Sequence, residues 1–279
     1  MRPLGEFRPA GAIRVLYADL DGTLLGPGGS LFAAVPEGVT SRGAAALASL
    51  QEAGVKLVLV SGRTRTQMRE AARIMSASSY IAELGAFLVD RGNPDRVVPN
   101  LGAYEGSGSA FDAMARSGAG AFLLERYPGR LEPHAPWAFE DREATMLFRG
   151  YLDTDEAAAT LIAAGYGWLE VLDNGVIRRR FESLDVPEVH AYHLVPRGVG
   201  KGSAVHLHRD LHVLRREETA AVGDSLSDLE LAGEVGALFL VANGVESVGT
   251  AADGLDNAFA TPSAAGDGVA EAVSALLGS

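Results

Sequence analysis

Two carboxylates open the chemistry of this chain. Asp19-Leu20-Asp21-Gly22-Thr23-Leu24 places them one residue apart, directly after an apolar run. A carboxylate held at a strand end can attack an electrophile, and a second on the following turn can give and take a proton. Gly22 and Thr23 add backbone N–H groups that can face an anion. Ser61-Gly62-Arg63 follows a second apolar run. Its hydroxyl and loop amides suit a phosphoryl group, and Arg63 suits either a phosphate contact or a surface ion pair. Lys201 follows Gly198 and Gly200, and Gly223-Asp224-Ser225-Leu226-Ser227-Asp228 adds two more acids. Taken singly, these pieces also read as a turn, a helix cap, a solvated lysine and a complement to a helix dipole. The lysine stands out by rarity. Of 24 basic residues, only Lys56 and Lys201 are lysine. A compact ammonium differs from a flat guanidinium fork, so a retained lysine between glycines and a helix points to a role.

The elements that must carry these residues follow from periodicity. Residues 13–18, 55–60 and 80–82 are short apolar runs that predict strands, and 38–53 and 64–75 predict helices between and after them. This βαβα alternation predicts a parallel sheet with helices on both faces. The reactive residues then sit at the carboxyl edge, where such sheets bind ligands. The rhythm breaks after Gly85. Residues 144–149, 167–173 and 176–181 predict strands, with Asp173-Asn174-Gly175 as a type I′ hairpin turn between the last two. Residues 154–164 predict a helix capped by Thr154. The α/β rhythm returns with helices over 201–211, 227–232 and 268–277 and strands over 219–222 and 237–241. The predicted organisation is one α/β domain in two halves, 1–85 and 190–279, with an α+β domain inserted over 86–189.

Composition excludes several classes. The 279 residues are 47% hydrophobic and 22% charged, ordinary globular usage, so a disordered chain is excluded. No apolar run approaches the ~20 residues of a membrane span. The N-terminal stretch lacks the apolar core of a signal peptide. Without cysteine there is no thiolate nucleophile, disulfide or cysteine zinc site. The net charge of −12, with no basic face, argues against nucleic acid. A cytoplasmic monomer or homodimer, with neither membrane nor nucleic-acid partners, is expected.

Together, DxDGT, SGR, Lys201 and GDSxxD, in that order, resemble the haloacid dehalogenase-like superfamily of phosphohydrolases. The 140 residues between Ser61 and Lys201 exceed a plain βαβ unit by about a hundred. That insertion resembles the α+β cap of the Cof-type branch, which includes sucrose-phosphate and mannosyl-3-phosphoglycerate phosphatases. Residues 192–205 and Val241-Ala242-Asn243-Gly244 resemble the same branch. One departure is Ser227, where many members have asparagine.

The resemblance implies a Rossmann-like core and a Mg²⁺-dependent phosphatase of small phosphorylated metabolites, sugar phosphates or phosphorylated glycosides foremost. Asp19 would be the nucleophile and Asp21 the general acid and base. Asp19, the Asp21 carbonyl and Asp224 would hold the metal. Ser61, Gly62, Arg63, Lys201, Gly22 and Asn243 would bind the phosphoryl group or substrate, and Asp228 would orient Lys201 or a metal-bound water. Cap candidates for specificity are His134, Arg178, Arg180, Glu182, His190 and His193, with 178, 180 and 182 on one strand face. A hexose phosphomutase is the rival enzyme, and a phospho-acceptor module the non-enzymatic alternative. Release of free phosphate without a bisphosphate activator would decide against the mutase, and stable phosphorylation of Asp19 would favour the module.

Overall fold

Two apolar faces run along the central strands. Leu16, Ala18, Leu57 and Leu59 are buried in one cluster, and Val15, Tyr17, Val58 and Val60 in another. Period-two alternation with both faces buried is what a sheet covered by helices on each side demands. The computed structural model describes residues 1–177 and 179–278.

The first part of the chain runs β1 (Arg2–Pro3), β2 (Val15–Asp19), α1 (Arg42–Glu52), β3 (Lys56–Val60), α2 (Arg65–Ile74), β4 (Ser79–Ala82), β5 (Phe87–Asp90) and β6 (Arg96–Pro99). The middle runs α3 (Ala110–Ser117), α4 (Ala119–Arg126), β7 (Leu131–Pro133), β8 (Met146–Gly150), α5 (Thr154–Ala163), β9 (Leu169–Val176) and β10 (His190–Pro196). The last part runs α6 (Lys201–Leu211), β11 (Thr219–Gly223), β12 (Ala237–Leu240), α7 (Ala242–Val248), β13 (Ala258–Ala260) and α8 (Ala265–Leu277).

Among the described residues the core sheet has the order β1-β13-β12-β11-β2-β3-β4-β5-β6. It is parallel from β1 to β4, and β5 and β6 add an antiparallel edge. β2 lies between β11 and β3, so the chain leaves it toward one side and returns on the other. That is the switch point at which an open sheet leaves a crevice. The cap is an antiparallel sheet of order β7-β8-β10-β9. It packs its own core of Leu123, Tyr127, Phe148, Leu161, Leu169 and Tyr192.

Three sequence expectations are corrected. The domain boundaries move, because β5 and β6 pair onto the core sheet and β10 belongs to the cap. The Gly/Pro cluster after Asp90 is the loop of an edge hairpin rather than a domain junction. The cap of α5 is Asp153, whose Oδ1 accepts from the amides of Asp155 and Glu156 at 2.9 Å each. Finally, Asp173-Asn174-Gly175 is no hairpin turn. β9 runs straight through it and pairs with β10, with a register shift between His190–Val176 and Tyr192–Asp173. Asn174 and Gly175 lie opposite the single residue Ala191, one residue more than regular pairing needs, and form a bulge. Gly175 takes φ +102°, a value that bulges and type I′ turns both require. Asp173 holds the bulge by accepting from the Gly175 amide at 2.8 Å and pairing with His190 Nδ1 at 2.8 Å. Among the described residues 177 and 179–182 none is in a strand, so Arg180 and Glu182 do not share a strand face. Arg178 lies outside the described residues.

Cap and core are joined at Glu83, which is fully buried. Its Oε1 accepts from the Glu143 amide at 2.9 Å. Its Oε2 accepts from the Ala144 amide at 3.0 Å, the Thr145 amide at 2.9 Å and the Thr145 hydroxyl at 3.0 Å. Burial pushes its pKa up, against the pull of those donors. Every contact asks for an acceptor, so an isosteric amide must aim its NH₂ at backbone N–H groups. Glu83→Gln is therefore expected to cost about 2–3 kcal/mol of stability, read from the urea midpoint. A midpoint unchanged from wild type would show that the junction is held elsewhere.

Candidate active site

Lys201 is the first residue of α6 and is 1% exposed. Its Nζ donates to Asp19 Oδ1 at 2.9 Å and to Asp228 Oδ1 at 2.7 Å. The extended backbone of Gly200 delivers the chain from the cap into α6 there, so the ammonium enters from beneath the carboxyl ends of β2 and β11. The second oxygen of Asp228 accepts from the amides of Asp224 and Ser225, at 3.1 and 3.0 Å, and from the Ser225 hydroxyl at 2.7 Å. One side chain thus sets both the lysine and the loop that carries Asp224. Asp224 is held in turn by Thr23 Oγ1 at 2.8 Å and Asn243 Nδ2 at 3.1 Å. Asn243 also donates to the Gly22 carbonyl at 2.9 Å and accepts from the Ala265 amide at 2.9 Å.

The electrostatics follow from crowding. Carboxylate oxygens of Asp19, Asp224 and Asp228 lie within 4.8 Å of one another. Burial pushes Asp19 well above the usual carboxylate range, with Lys201 opposing and Asp228 and Asp224 adding to the rise. Burial, then Asp228, pushes Asp224 up to about 7. Lys201 is raised, because the two carboxylates outweigh the burial that would lower it. Three acids against one ammonium leave a deficit of positive charge in a dry site. A divalent cation held by oxygen ligands fits that deficit.

Asp21 stands apart from this cluster. Arg63 grips it with two hydrogen bonds, Nε to Oδ2 at 2.7 Å and a terminal nitrogen to Oδ1 at 2.6 Å. Of the two readings offered for Arg63, the structure shows the ion pair. Ser61 is buried, and its hydroxyl accepts from the Arg63 amide at 3.3 Å. The amides expected to face an anion are engaged within their own turn: Gly22 donates to the Leu25 carbonyl at 2.9 Å and Thr23 to the Leu20 carbonyl at 3.2 Å. Asn243, expected at the phosphate, uses its amide to tie the Asp19 loop to Asp224. The tight turn after β2 closes on itself, and that closure consumes these donors.

The cap reaches this site through His193, a cap candidate, and through Asn174 and Arg142, which the sequence placed in a turn or did not mark. The Ser227 hydroxyl donates to Asn174 Oδ1 at 3.0 Å, so the bulge rests on the loop that carries Asp224. A Cβ on Gly62 would meet His193 Nε2 at 2.8 Å and Asn174 Nδ2 at 3.0 Å, so the cap also lies against the Ser61-Gly62 loop. Arg142, mostly buried, donates to the Gly62 carbonyl at 3.3 Å and to Thr145 Oγ1 at 2.8 Å. His193 and His134 each have a buried Nδ1 without a partner among the described residues. Burial pushes His134 down to about 4 and His193 well below its ordinary range, so both are neutral. Of the other cap candidates, His190 is tied to Asp173 and to Glu188, at 2.8 and 3.3 Å, and braces the bulge. Arg180 and Glu182 are exposed. No periodicity signal marks Arg142, which lies in a turn before β8. Asn174 was visible only as a turn residue.

Because Lys201 fills its position against two carboxylates, geometry rather than charge is what a substitution disturbs. Lys201→Arg keeps the charge but cannot present a compact ammonium to both oxygens. It is expected to lower kcat at least about 100-fold, the scale of a 1 Å misplacement. A rate within a few-fold of wild type would show that only the charge matters.

The comparisons agree with this geometry. The family model for haloacid dehalogenase-like hydrolases matches residues 16–95 and 180–273, more than half of the chain. The phosphoglycolate phosphatase of Metallosphaera sedula is 26% identical over 233 residues, covering 83% of this chain and 86% of that one. Thermoplasma acidophilum protein 0175 superimposes with a TM-score of 0.64 at 16% identity, over 96% of this chain and 99% of that one. The sucrose-phosphatase of Synechocystis sp. PCC6803, solved with sucrose and phosphate, superimposes with a TM-score of 0.60 at 14% identity, over 95% and 98%. With its switch-point carboxylates, buried lysine and inserted antiparallel cap, the chain belongs to the haloacid dehalogenase-like hydrolase family.

Proposed function

We propose that this protein is a Mg²⁺-dependent phosphatase of small phosphate monoesters whose leaving group carries a further negative charge, with 2-phosphoglycolate as the type substrate. The observation that carries the second half is Arg142. It is a half-buried guanidinium beside Gly62 that makes no ion pair among the described residues. Burial pushes its pKa down and the nearby Glu83 carboxylate opposes that only in part, so it gains from a further anionic partner. The neutral His193 and the Asn174 amide supply further polar contacts beside it. The phosphatase half rests on the Asp19–Lys201–Asp228 constellation, on the family, and on the name of the Metallosphaera relative.

In this reading Asp19 attacks phosphorus through a carboxylate oxygen, and the bond to the leaving oxygen breaks. The product is an aspartyl-phosphate on Asp19, which water then hydrolyses. Asp21 releases one of its two hydrogen bonds from Arg63 to carry a proton on that oxygen, gives that proton to the leaving alkoxide and later takes one from the attacking water. Lys201 neutralises charge on Asp19 and the phosphoryl oxygens, and Ser61 donates to them. Asp19, Asp224 and the Asp21 carbonyl would hold Mg²⁺. When bound, the ion supplies the positive charge that keeps Asp19 ionised beside the substrate's phosphate. Asp228 and Asn243 fix the loops that present these groups. The cap surrounds the leaving group, and its contacts on both loops exclude water.

Phosphate release in Mg²⁺ tests the reading. With no bisphosphate added, 2-phosphoglycolate is expected to give a higher kcat/KM than hexose 6-phosphates, and Asp19→Asn is expected to abolish release from either. Preference for hexose phosphates would move the substrate to the sugar class, and a requirement for a bisphosphate activator would make the enzyme a mutase. Substantial turnover by Asp19→Asn would remove Asp19 from the nucleophile's role.

Asn243→Ala is expected to raise the Mg²⁺ concentration for half-maximal activity about 10–100-fold, the usual cost of losing a group that orients a metal ligand. KM for the phosphate ester at saturating Mg²⁺ should change little. A raised KM with unchanged Mg²⁺ dependence would put Asn243 on the substrate instead.

A further inference from the structure

A second cluster of metal-ligating side chains lies outside the carboxylate site and takes no part in the chemistry above. His208 and His212 stand four residues apart at the end of α6, so they share one helix face. Asp90, the last residue of β5, meets them. One ligand atom from each of Asp90, His208 and His212 lies within 4.8 Å of the other two. His212 Nε2 is 3.0 Å from Asp90 Oδ1, and the two imidazole centroids are 4.3 Å apart. His208 is 2% exposed, and its Nδ1 is held by the Tyr17 hydroxyl at 2.8 Å. That contact fixes the ring and leaves Nε2, which makes no hydrogen bond among the described residues. A ring nitrogen oriented by a partner on its other side is the usual arrangement for a metal-binding histidine. Asp90 is oriented likewise, by the Ser79 hydroxyl at 2.8 Å.

We propose that Asp90, His208 and His212 form a binding site for one transition-metal ion of the zinc class. Two imidazoles and a carboxylate are the donor set that Zn²⁺, Co²⁺ and Ni²⁺ prefer, whereas Mg²⁺ prefers oxygen ligands. Three protein ligands leave a position for water. His212 and Asp90 are only partly covered, so an ion can enter from solvent. A plain ion pair accounts for Asp90 with His212, but not for a second, buried imidazole packed beside them at a tilt and fixed by a tyrosine. The bound ion would clasp β5 to α6 and, through Tyr17, to β2. α6 begins at Lys201, roughly 10 Å away along its axis, so the clasp would anchor the helix that carries the catalytic lysine.

Co²⁺ titration of the full chain tests this, with saturating Mg²⁺ present to fill the carboxylate site. Visible absorption reports imidazole ligation. Wild type is expected to bind one Co²⁺ per chain at micromolar concentration with a d–d band. His212→Ala and Asp90→Asn, both at partly exposed positions, should lose the saturable band while keeping the wild-type circular dichroism spectrum. Added Zn²⁺ should displace the Co²⁺ and raise Tm by about 5 °C in wild type but not in His212→Ala. Saturable binding retained in both variants would assign the ion to another place. Binding by wild type only at millimolar concentration would reduce the cluster to a hydrogen-bonded helix end. Either result overturns the proposal.

Discussion

The buried ammonium of Lys201 is what the rest of the site depends on. It is buried together with Asp19 and Asp228, of which Asp19 alone keeps a small opening to solvent. Removing three charges from water costs more than their attraction returns in most proteins, so such a triad is poor as a stabilising device. Its value is positional. Once the ammonium is buried, both carboxylates must come to it, and each carries a different loop. Asp19 ends β2, and Asp228 holds the backbone of Asp224 and Ser225. Removing one partner would leave charge uncompensated in the interior, at a cost of about 3–5 kcal/mol. The arrangement therefore tolerates little drift among the three segments that meet at the switch point of the sheet.

The cap is attached in two unequal ways. At the junction, Glu83 accepts four hydrogen bonds from residues 143–145, and Arg65 holds Glu143 with two more, at 2.7 and 2.6 Å. At the mouth of the site, the cap rests on the core through the Ser227–Asn174 and Arg142–Gly62 hydrogen bonds and the close approach of His193 to Gly62. Breaking one net hydrogen bond costs about 1 kcal/mol, whereas orphaning four buried donors costs several times more. The bulge of β9 is thus the place where cap and core separate at least expense, and it lies beside the reacting groups.

The core chemistry was legible in the residues because it depends on short segments. Asp19, Asp21, Ser61, Lys201, Asp224 and Asp228 lie at ends of strands or starts of helices, and short apolar runs located those ends except at Lys201, which its flanking glycines and the rarity of lysine singled out. The parallel sheet was legible for the same reason, since strands buried on both faces read as continuous apolar runs. The edge strands β5 and β6 were not, because the Gly/Pro cluster between them matches an edge hairpin and a domain junction equally well.

The amino-acid sequence by itself determined the order of the motifs, the parallel core, the presence of an inserted cap and the carboxylates that gather at the candidate site. Each rests on local periodicity or on groups close in the chain. Tertiary structure alone decided what Asn174-Gly175 does. A positive φ at glycine serves a type I′ turn and a bulge alike, and only the pairing partner distinguishes them. β10, reached some fifteen residues later, pairs straight across the site and makes it a bulge. The roles of Arg142, His193 and Glu83 were decided in the same way. Each is an ordinary residue in its own segment and acquires its role from a partner distant in sequence. Long-range contacts of that kind leave no period in the chain, so burial and pairing had to reveal them.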